Sequence, residues 1–394
     1  MVATLRSDWI TTGPRVRRFE HEFAQALGAP AALALNSCTS ALHVALAVLG
    51  VGHEAQVITT PLTFCSTVHV IEHVGAHPLL IDVEPDTLNI DPLRVEQALR
   101  RSSAHGDATT VRALLPVHLY GHPCELDHLE AIARASNLAM IEDCAHSLPA
   151  KYKGRCIGST RPQVDDGLVQ LAAFSFYATK NMTTAEGGML TGSPTLLEAA
   201  SIWSLHGMSR DAYKRYSAAG SWRYDVLLPG FKYNMTDIQA ALGIHQLRRL
   251  PELQMRRRQI VAKYNEAFAD HYALEIPTER PGVEHAWHIY ALRLRLDRLR
   301  IDRRRFIEEL SRLNVGASVH FIPIHLHAYY RNKYGFKPMD FPIAFTEYQR
   351  LVSLPLYPRM SDADVKDVIN AVRRTASRHR TRRLATSGAP PGNA

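Results

Sequence analysis

The chain has 394 residues and a mass of 44.1 kDa, too long for one small module and of a size that suits two packed domains. With 46% hydrophobic and 21% charged residues it can bury a sizeable core, which excludes global disorder, and no apolar run reaches the roughly 18 residues of a membrane span. The 46 basic and 38 acidic residues give +8, but six arginines (Arg373, Arg374, Arg378, Arg380, Arg382, Arg383) crowd the last 22 residues, and +8 less these six leaves +2.

A body that close to neutral argues against nucleic acid as the main partner. Five cysteines (Cys38, Cys65, Cys124, Cys144, Cys156), odd in number and without a C-x-x-C pair, exclude a disulfide framework and a zinc finger. They suit a reducing compartment. The first residues hold no apolar signal segment, so the expectation is a soluble, cytoplasmic protein with no membrane partner.

In chain order, Val16, Phe19, Phe23 and Leu27 recur at helical spacing and predict a helix over 15–28 that Gly28 stops. Ala-Leu-Ala-Leu at 32–35 reads as a buried strand, followed by a helix over 40–50. Strands then follow at 57–60, 78–83, 114–119 and 139–143, with helices over 64–74 and 125–136 among them. These strands are continuous apolar runs, the mark of a mostly parallel sheet covered by helices on both faces. The expected large α/β domain spans 1–245. A long helix over about 236–270 follows, which Pro251 should bend or divide. The alternation from Tyr290 predicts a half-exposed strand. A helix over 302–313, a strand near 316–321 and a helix over 361–374 complete a smaller α+β domain, 246–376, ahead of a basic, disordered tail, 377–394.

Three segments carry chemistry. Lys180 stands between an apolar strand and the loop ending Glu186-Gly187-Gly188, and a lysine attacks carbonyls only once burial or neighbouring cations have lowered its pKa. Asp143 closes a predicted strand, where α/β sheets place ligand contacts, and a buried carboxylate needs a cationic partner. Asn36-Ser-Cys-Thr39-Ser40 joins a strand to a helix, and hydroxyls with free N–H groups at a helix N-terminus bind anions such as phosphate.

Taken in this order, with Gly230-Phe-Lys-Tyr-Asn234-Met-Thr-Asp237, Leu205-His206-Gly207, Ala286-Trp287-His288 and His325, these segments resemble the DegT/DnrJ/EryC1/StrS family of sugar aminotransferases. The resemblance runs from Trp9-Ile-Thr-Thr-Gly-Pro to Leu354-Pro-Leu-Tyr-Pro and implies fold type I and pyridoxal 5′-phosphate. By it, Lys180 forms the internal aldimine and relays the proton, and Asp143 pairs with the pyridinium nitrogen. Phe64 would stack on the cofactor ring and His146 would bond its phenolic oxygen. Thr39, Ser40 and Ser175 would cradle the phosphate. Asn234 would come from a neighbouring subunit, which implies a homodimer with shared sites. His325 would face the sugar, and Lys232, Arg210 and Arg331 are candidate contacts to a diphosphate by position.

The resemblance further implies L-glutamate as donor, a nucleotide-linked keto sugar as acceptor, and a pyridoxamine 5′-phosphate form between two ping-pong half-reactions. The quoted runs look most like the branch that aminates C4. A C3-aminating sugar enzyme, a cyclitol aminotransferase and a non-catalytic cofactor-binding regulator are the alternatives. Family 3-dehydratases replace the lysine with histidine, so Lys180 implies transamination. Cys144 departs from the family's usual alanine, and the lead before Trp9 is shorter than the family's. Two histidine runs imitate metal motifs: His69-Val-Ile-Glu72-His73 lacks a third ligand and a cleft on sequence grounds, and the resemblance makes His320-Phe-Ile-Pro-Ile-His325-Leu-His327 a sugar-facing stretch, so no metal is expected.

Overall fold

A computed structural model of the protein describes residues 1–7, 9–105, 110–159, 167–209 and 224–381. The apolar runs form β1 (Ala31–Leu35), β2 (Ala55–Thr59), β3 (His77–Leu80), β4 (Thr110–Leu114) and β5 (Ala139–Asp143). Two short strands, β6 (Lys151–Tyr152) and β7 (Arg155–Cys156), make a small ribbon before β8 (Gln170–Ser175) and β9 (Gly188–Gly192). The main sheet has seven strands in the order β1-β9-β8-β5-β4-β2-β3. Pairings among β3, β2, β4, β5 and β8 are parallel, whereas β9 runs antiparallel to both β8 and β1. The ends of β1, β2, β5 and β8 and the start of β9 therefore share one edge. That edge holds the site.

Helices cover both faces, as the apolar strands require. On one face, Phe23 of helix Pro14–Leu27 packs edge-on against Phe174 and Phe176, and Phe19 packs tilted against Phe176. Gly243 lets helix Asp237–Phe268 approach them, since a Cβ there would lie 2.5 Å from the Phe19 ring. On the other face, helix Cys38–Val48 buries Ala41, Leu42, Val44 and Ala45 against β8 and β9.

Helix Asp237–Phe268 is one helix, not two, and it runs through position 245. Its first half contributes Ile244, Leu247 and Leu250 to the core of the main sheet; its second half contributes Ile260, Tyr264 and Phe268 to a second core. An internal proline costs about 3 kcal/mol. Burial of both halves, with a capping box between Thr236 and Gln239, outweighs that cost, so Pro251 does not divide the helix as expected.

The second core lies under a three-stranded antiparallel sheet of β10 (Leu274–Glu275), β12 (Tyr290–Leu294) and β13 (Leu351–Leu354); β11 (Val283–Glu284) pairs instead with β6. β12 is buried along its whole length rather than half-exposed. Ala291 packs into an apolar cluster with Leu119 and Ile324, and Arg293 is buried because Glu275, Glu347 and the Pro85 carbonyl partner it. The strand expected near 316–321 reduces to a single bridge, Ser318 to Ser353. The last helix runs Asp362–Arg378, and Arg380 bridges to Leu299, so ordered structure continues into the start of the expected tail; residues 382–394 lie outside the described residues. Among the described residues no helix is long and apolar enough to cross a membrane.

One long-range contact fixes how the first helix meets the sheet. Gly13, the cap of helix Pro14–Leu27, has no side chain, and the buried Asp237 carboxylate takes its place by accepting from the backbone N–H groups of Gly13, Arg15 and Val16 at 2.8–3.0 Å. Charge-assisted bonds at a helix N-terminus are stronger than neutral ones. Asp237→Ala should therefore lower unfolding free energy by about 3 kcal/mol in a denaturant titration. A loss below about 1 kcal/mol would show that this cap is dispensable.

Candidate active site

At the shared strand edge lies a cleft of about 410 Å³. β5 delivers Asp143 to its floor. One carboxylate oxygen accepts from the Thr67 hydroxyl at 2.8 Å, and Thr67 is itself within 2.8 Å of the Thr63 hydroxyl; the other oxygen accepts from the Ala145 N–H at 3.1 Å. Among the described residues no arginine or lysine forms an ion pair with Asp143. Burial accordingly pushes its pKa up, against the pull of these hydrogen bonds and the charge of Lys180.

Lys180 enters from the turn after β8, its backbone N–H bonded to the Tyr177 carbonyl at 3.0 Å. Desolvation lowers its pKa, and the Asp143 charge only partly offsets this. Its neighbour Asn181 is buried and fully committed. The amide nitrogen donates to the Leu148 and Ala286 carbonyls, each at 2.8 Å, and the amide oxygen faces His288 Nδ1 at 3.2 Å. The turn that carries Lys180 is thereby tied to the segment that carries His288.

The N-terminus of helix Cys38–Val48 forms another wall. Ser37, Cys38 and Thr39 line the cleft opposite Ser175, and the first helical N–H groups have no intrahelical acceptor. Gly188 makes room for this wall, since a Cβ there would lie 2.4 Å from Ser37 backbone atoms. The arrangement suits a phosphate-sized anion. Ser40, expected in the cradle, is turned away: its N–H donates to Ser37 Oγ and its hydroxyl to Asn36 Oδ1. Ser37 faces the cleft in its place.

Aromatic rings supply the remaining surface. Phe64 stands 56% exposed at the lip, 5.8 Å from the Phe321 ring, and Phe321 stacks on His146 at 5.7 Å. His146 Nδ1 accepts from the Tyr120 N–H at 3.2 Å, so its proton sits on Nε2. Burial, together with the charges of Lys180 and His320, holds its pKa well below the ordinary histidine range. The ring is a neutral donor. A flat heteroaromatic ligand with a phosphate arm would find a stacking face, a buried carboxylate, a hydrogen-bond donor and a helix N-terminus in one cleft.

Six expected residues thus converge here: Thr39, Phe64, Asp143, His146, Ser175 and Lys180. The others lie elsewhere in this single copy. His325, expected to face a sugar, is fully buried against Phe341 and bonds the Pro338 carbonyl, because its short helix turns it into an apolar cluster; His320 and Phe321 from the same run line the cleft instead. Asn234 donates to Thr12 Oγ1 at 2.7 Å and accepts from the exposed Lys232. Arg331 is exposed on helix Ala328–Tyr334, and Arg210 lies outside the described residues. Sequence reasoning missed Thr67, Ser37 and His288. Ser37 and His288 carried a signal, in the runs Asn36-Ser-Cys-Thr39-Ser40 and Ala286-Trp287-His288, and Thr67 did not.

The metal-like runs do not converge. Glu72 is taken by Lys333 and Tyr334, and His69 stacks on Tyr330. Among the described residues the one converging set is His118, Glu142 and Cys144. It is buried, and hydrogen bonds to Cys124 N and Gln170 already occupy His118 and Glu142. A larger apolar groove of about 690 Å³, bordered by Leu27, Leu247 and Met255, lies away from this chemistry.

The sequence profile described as the DegT/DnrJ/EryC1/StrS aminotransferase family matches residues 1–373. The chain belongs to this family. It is 47% identical over 381 residues to an uncharacterized protein of Methanocaldococcus jannaschii, covering 96% of this chain and 95% of that one. It is 46% identical over 372 residues to the spore coat polysaccharide biosynthesis protein SpsC of Bacillus subtilis, covering 94% and 92%. Among solved structures, Spr1654 of Streptococcus pneumoniae, described as a sugar aminotransferase and captured in its PMP form, superposes with a TM-score of 0.85 at 33% identity, covering 96% of this chain and 95% of that one. Family membership and these superpositions establish the fold-type I architecture that the strand pattern had pointed to.

A lowered lysine pKa has a direct consequence. At pH 8 a larger fraction of Lys180 is the neutral amine than of a lysine whose pKa is not lowered, so it should react ahead of such lysines with an aromatic aldehyde trapped by borohydride. Peptide mapping should find the label at Lys180, with a pH midpoint below that of surface lysines. Labelling spread evenly over exposed lysines would contradict the burial argument.

Proposed function

We propose that this protein is a pyridoxal 5′-phosphate-dependent aminotransferase that moves the amino group of L-glutamate onto the keto group of a nucleotide-linked sugar, at C4. The observation that carries the proposal is Lys180 and Asp143 in one cleft, each desolvated and each shifted toward its neutral form. The solved PLP and PMP forms of Spr1654 support the choice of cofactor, and the polysaccharide role of SpsC supports a sugar.

When bound, the cofactor supplies a reactive carbonyl carbon and an electron-withdrawing ring. The residues of this chain do the rest. Asp143, costly to keep charged in its apolar setting, gains a cationic partner in a protonated ring nitrogen and holds that proton in place. His146, protonated on Nε2, would donate to the ring's phenolic oxygen. Phe64 and Phe321 would offer the ring an aromatic surface, and Ser37, Thr39 and Ser175 would receive the phosphate at the helix N-terminus. Lys180, a neutral amine by its lowered pKa, would take the proton lost from the donor's α-carbon at Nζ and, in the second half-reaction, deliver a proton to the carbon that carried the ketone. Burial keeps bulk water from competing for that proton.

In this reading the protein works as a homodimer, and Asn234 and Lys232 of one subunit complete the site of the other. Both lie outside the cleft of their own copy.

An absorption spectrum tests the first half-reaction. The visible band of the holoenzyme should bleach on adding L-glutamate and return with 2-oxoglutarate; a colourless protein that stays colourless with added cofactor would defeat the reading. Lys180→Ala should lose turnover by at least about a thousandfold while unfolding at the same temperature. If the sites are shared, mixing Lys180→Ala with an inactive Asn234→Ala variant should restore about a quarter of wild-type activity, since half the dimers carry one intact site. Failure of exchanged subunits to recover activity would make each site self-contained.

A further inference from the structure

His288 sits beside His146, ring centroids 4.6 Å apart, and both line the cleft. Their buried partners fix opposite protonation patterns. Asn181 spends both amide hydrogens on the Leu148 and Ala286 carbonyls, which leaves its oxygen facing His288 Nδ1. His288 must therefore donate from Nδ1, and a neutral ring then carries its lone pair on Nε2. His146 accepts at Nδ1 from the Tyr120 N–H and so carries its proton on Nε2. Among the described residues neither Nε2 has a protein partner, and neither is sealed off from the cleft.

A second feature holds His288 in this role. Arg257 is buried, has no carboxylate partner among the described residues, and donates to the carbonyls of Trp287, His288 and Leu356 at 2.9–3.3 Å. Trp287 has a positive φ of 49°, an unfavourable backbone for a bulky residue that these bonds hold. Burial of the ring disfavours an imidazolium, and His146, Lys180 and the Arg257 cation nearby add to that effect. The ring stays neutral at the positions that matter.

We propose that His288 is a substrate-binding residue: its Nε2 lone pair accepts a hydrogen bond from an N–H of the incoming amino donor, beside the N–H that His146 presents. The choice of an amine rests on the amino-transfer reading above, since the nitrogen that exchanges with Lys180 must come to this part of the cleft. A lysine or arginine in place of His288 would repel that group. A neutral acceptor orients it without holding it as tightly as a carboxylate would.

Two measurements on the full-length chain test this. Nitrogen NMR of protein labelled in its histidine rings, at pH 7 and with His288→Gln for assignment, should show the lone pair on Nε2 in His288 and on Nδ1 in His146. An imidazolium at His288, or the same tautomer in both rings, would overturn the proposal without any turnover being needed. In single-turnover titrations of the holoenzyme with L-glutamate, His288→Leu should weaken apparent binding about tenfold, the worth of one good hydrogen bond. His288→Gln, which keeps an acceptor oxygen, should recover most of it. Unchanged L-glutamate binding in His288→Leu would also overturn it. A wild-type protein inert to L-glutamate would count against the reading of function as a whole, a failure the imidazole spectra keep separate.

Discussion

A carboxylate at the end of an apolar strand, with hydrogen bonds but no basic side chain bonded to it, is the constraint on which the rest of the site depends. Asp143 is 4% exposed, yet Thr67 and the Ala145 N–H satisfy only part of what a charged oxygen pair demands. A site of this kind is strained toward neutrality and is relieved by a ligand that brings its own positive charge. Lys180 is the opposite case in the same cleft, an amine that burial drives toward its neutral form. A bonded Asp143–Lys180 ion pair would have stabilised both charges and silenced both groups. Their separation preserves the chemistry.

The fold makes that separation by topology. Parallel strands place β5 and β8 side by side in register, Asp143 opposite Ala173, so that the segments leaving both strands emerge at one edge. The reversed β9 then brings Gly188 back against the Ser37 backbone, close enough that only hydrogen fits. Helix Asp237–Phe268 shares its length between two cores, and Arg257 on that helix holds the turn that presents His288. Packing far from the cleft thus fixes side chains within it, down to which ring nitrogen carries a proton.

Much of this was legible in the chain itself. Six strands of the sheet read as short apolar runs punctuated by Gly and Pro, whereas β9 falls outside the expected strands; of the residues that converge, Asp143 and Ser175 end strands, Thr39 lies on the helix after β1, and Phe64, His146 and Lys180 lie in the turns after β2, β5 and β8. What escaped was set by contacts distant in sequence. Thr67 is an ordinary helix residue until Asp143 is folded onto it from 76 positions away. Asp237 stands in a recognisable run, but its carboxylate caps a helix 221–224 positions earlier, a role no local pattern encodes. His325 failed for the converse reason. A polar residue among Pro, Ile and Leu reads as functional, while a three-residue helix at Ile324–Leu326 rotates it into the core and leaves His320 at the cleft. Of the two outcomes expected at Pro251, division of the helix fails because the two apolar faces override propensity.

The charge of the cleft carries one further implication for how a nucleotide-linked substrate would be held. Among the described residues lining it, Lys180 is the sole basic side chain other than histidine, and the three histidines that share the lining are held below their ordinary pKa by burial. Lys180 is committed to chemistry and cannot also balance a diphosphate. A phosphate arm satisfied by backbone N–H groups and hydroxyls needs no extra cation, but a second pair of phosphates does, because each desolvated charge must be met by another or stay in water. The cations that could meet it, Lys232 and Arg331, are both exposed and both outside the lining of their own copy. A site with a complete cofactor half and a cation-poor substrate half is what a shared-site dimer requires. In the proposed dimer it would also separate the two binding tasks, leaving the residues of β5 and β8 free to tune reactivity and selection among sugars to surfaces that a second chain would bring.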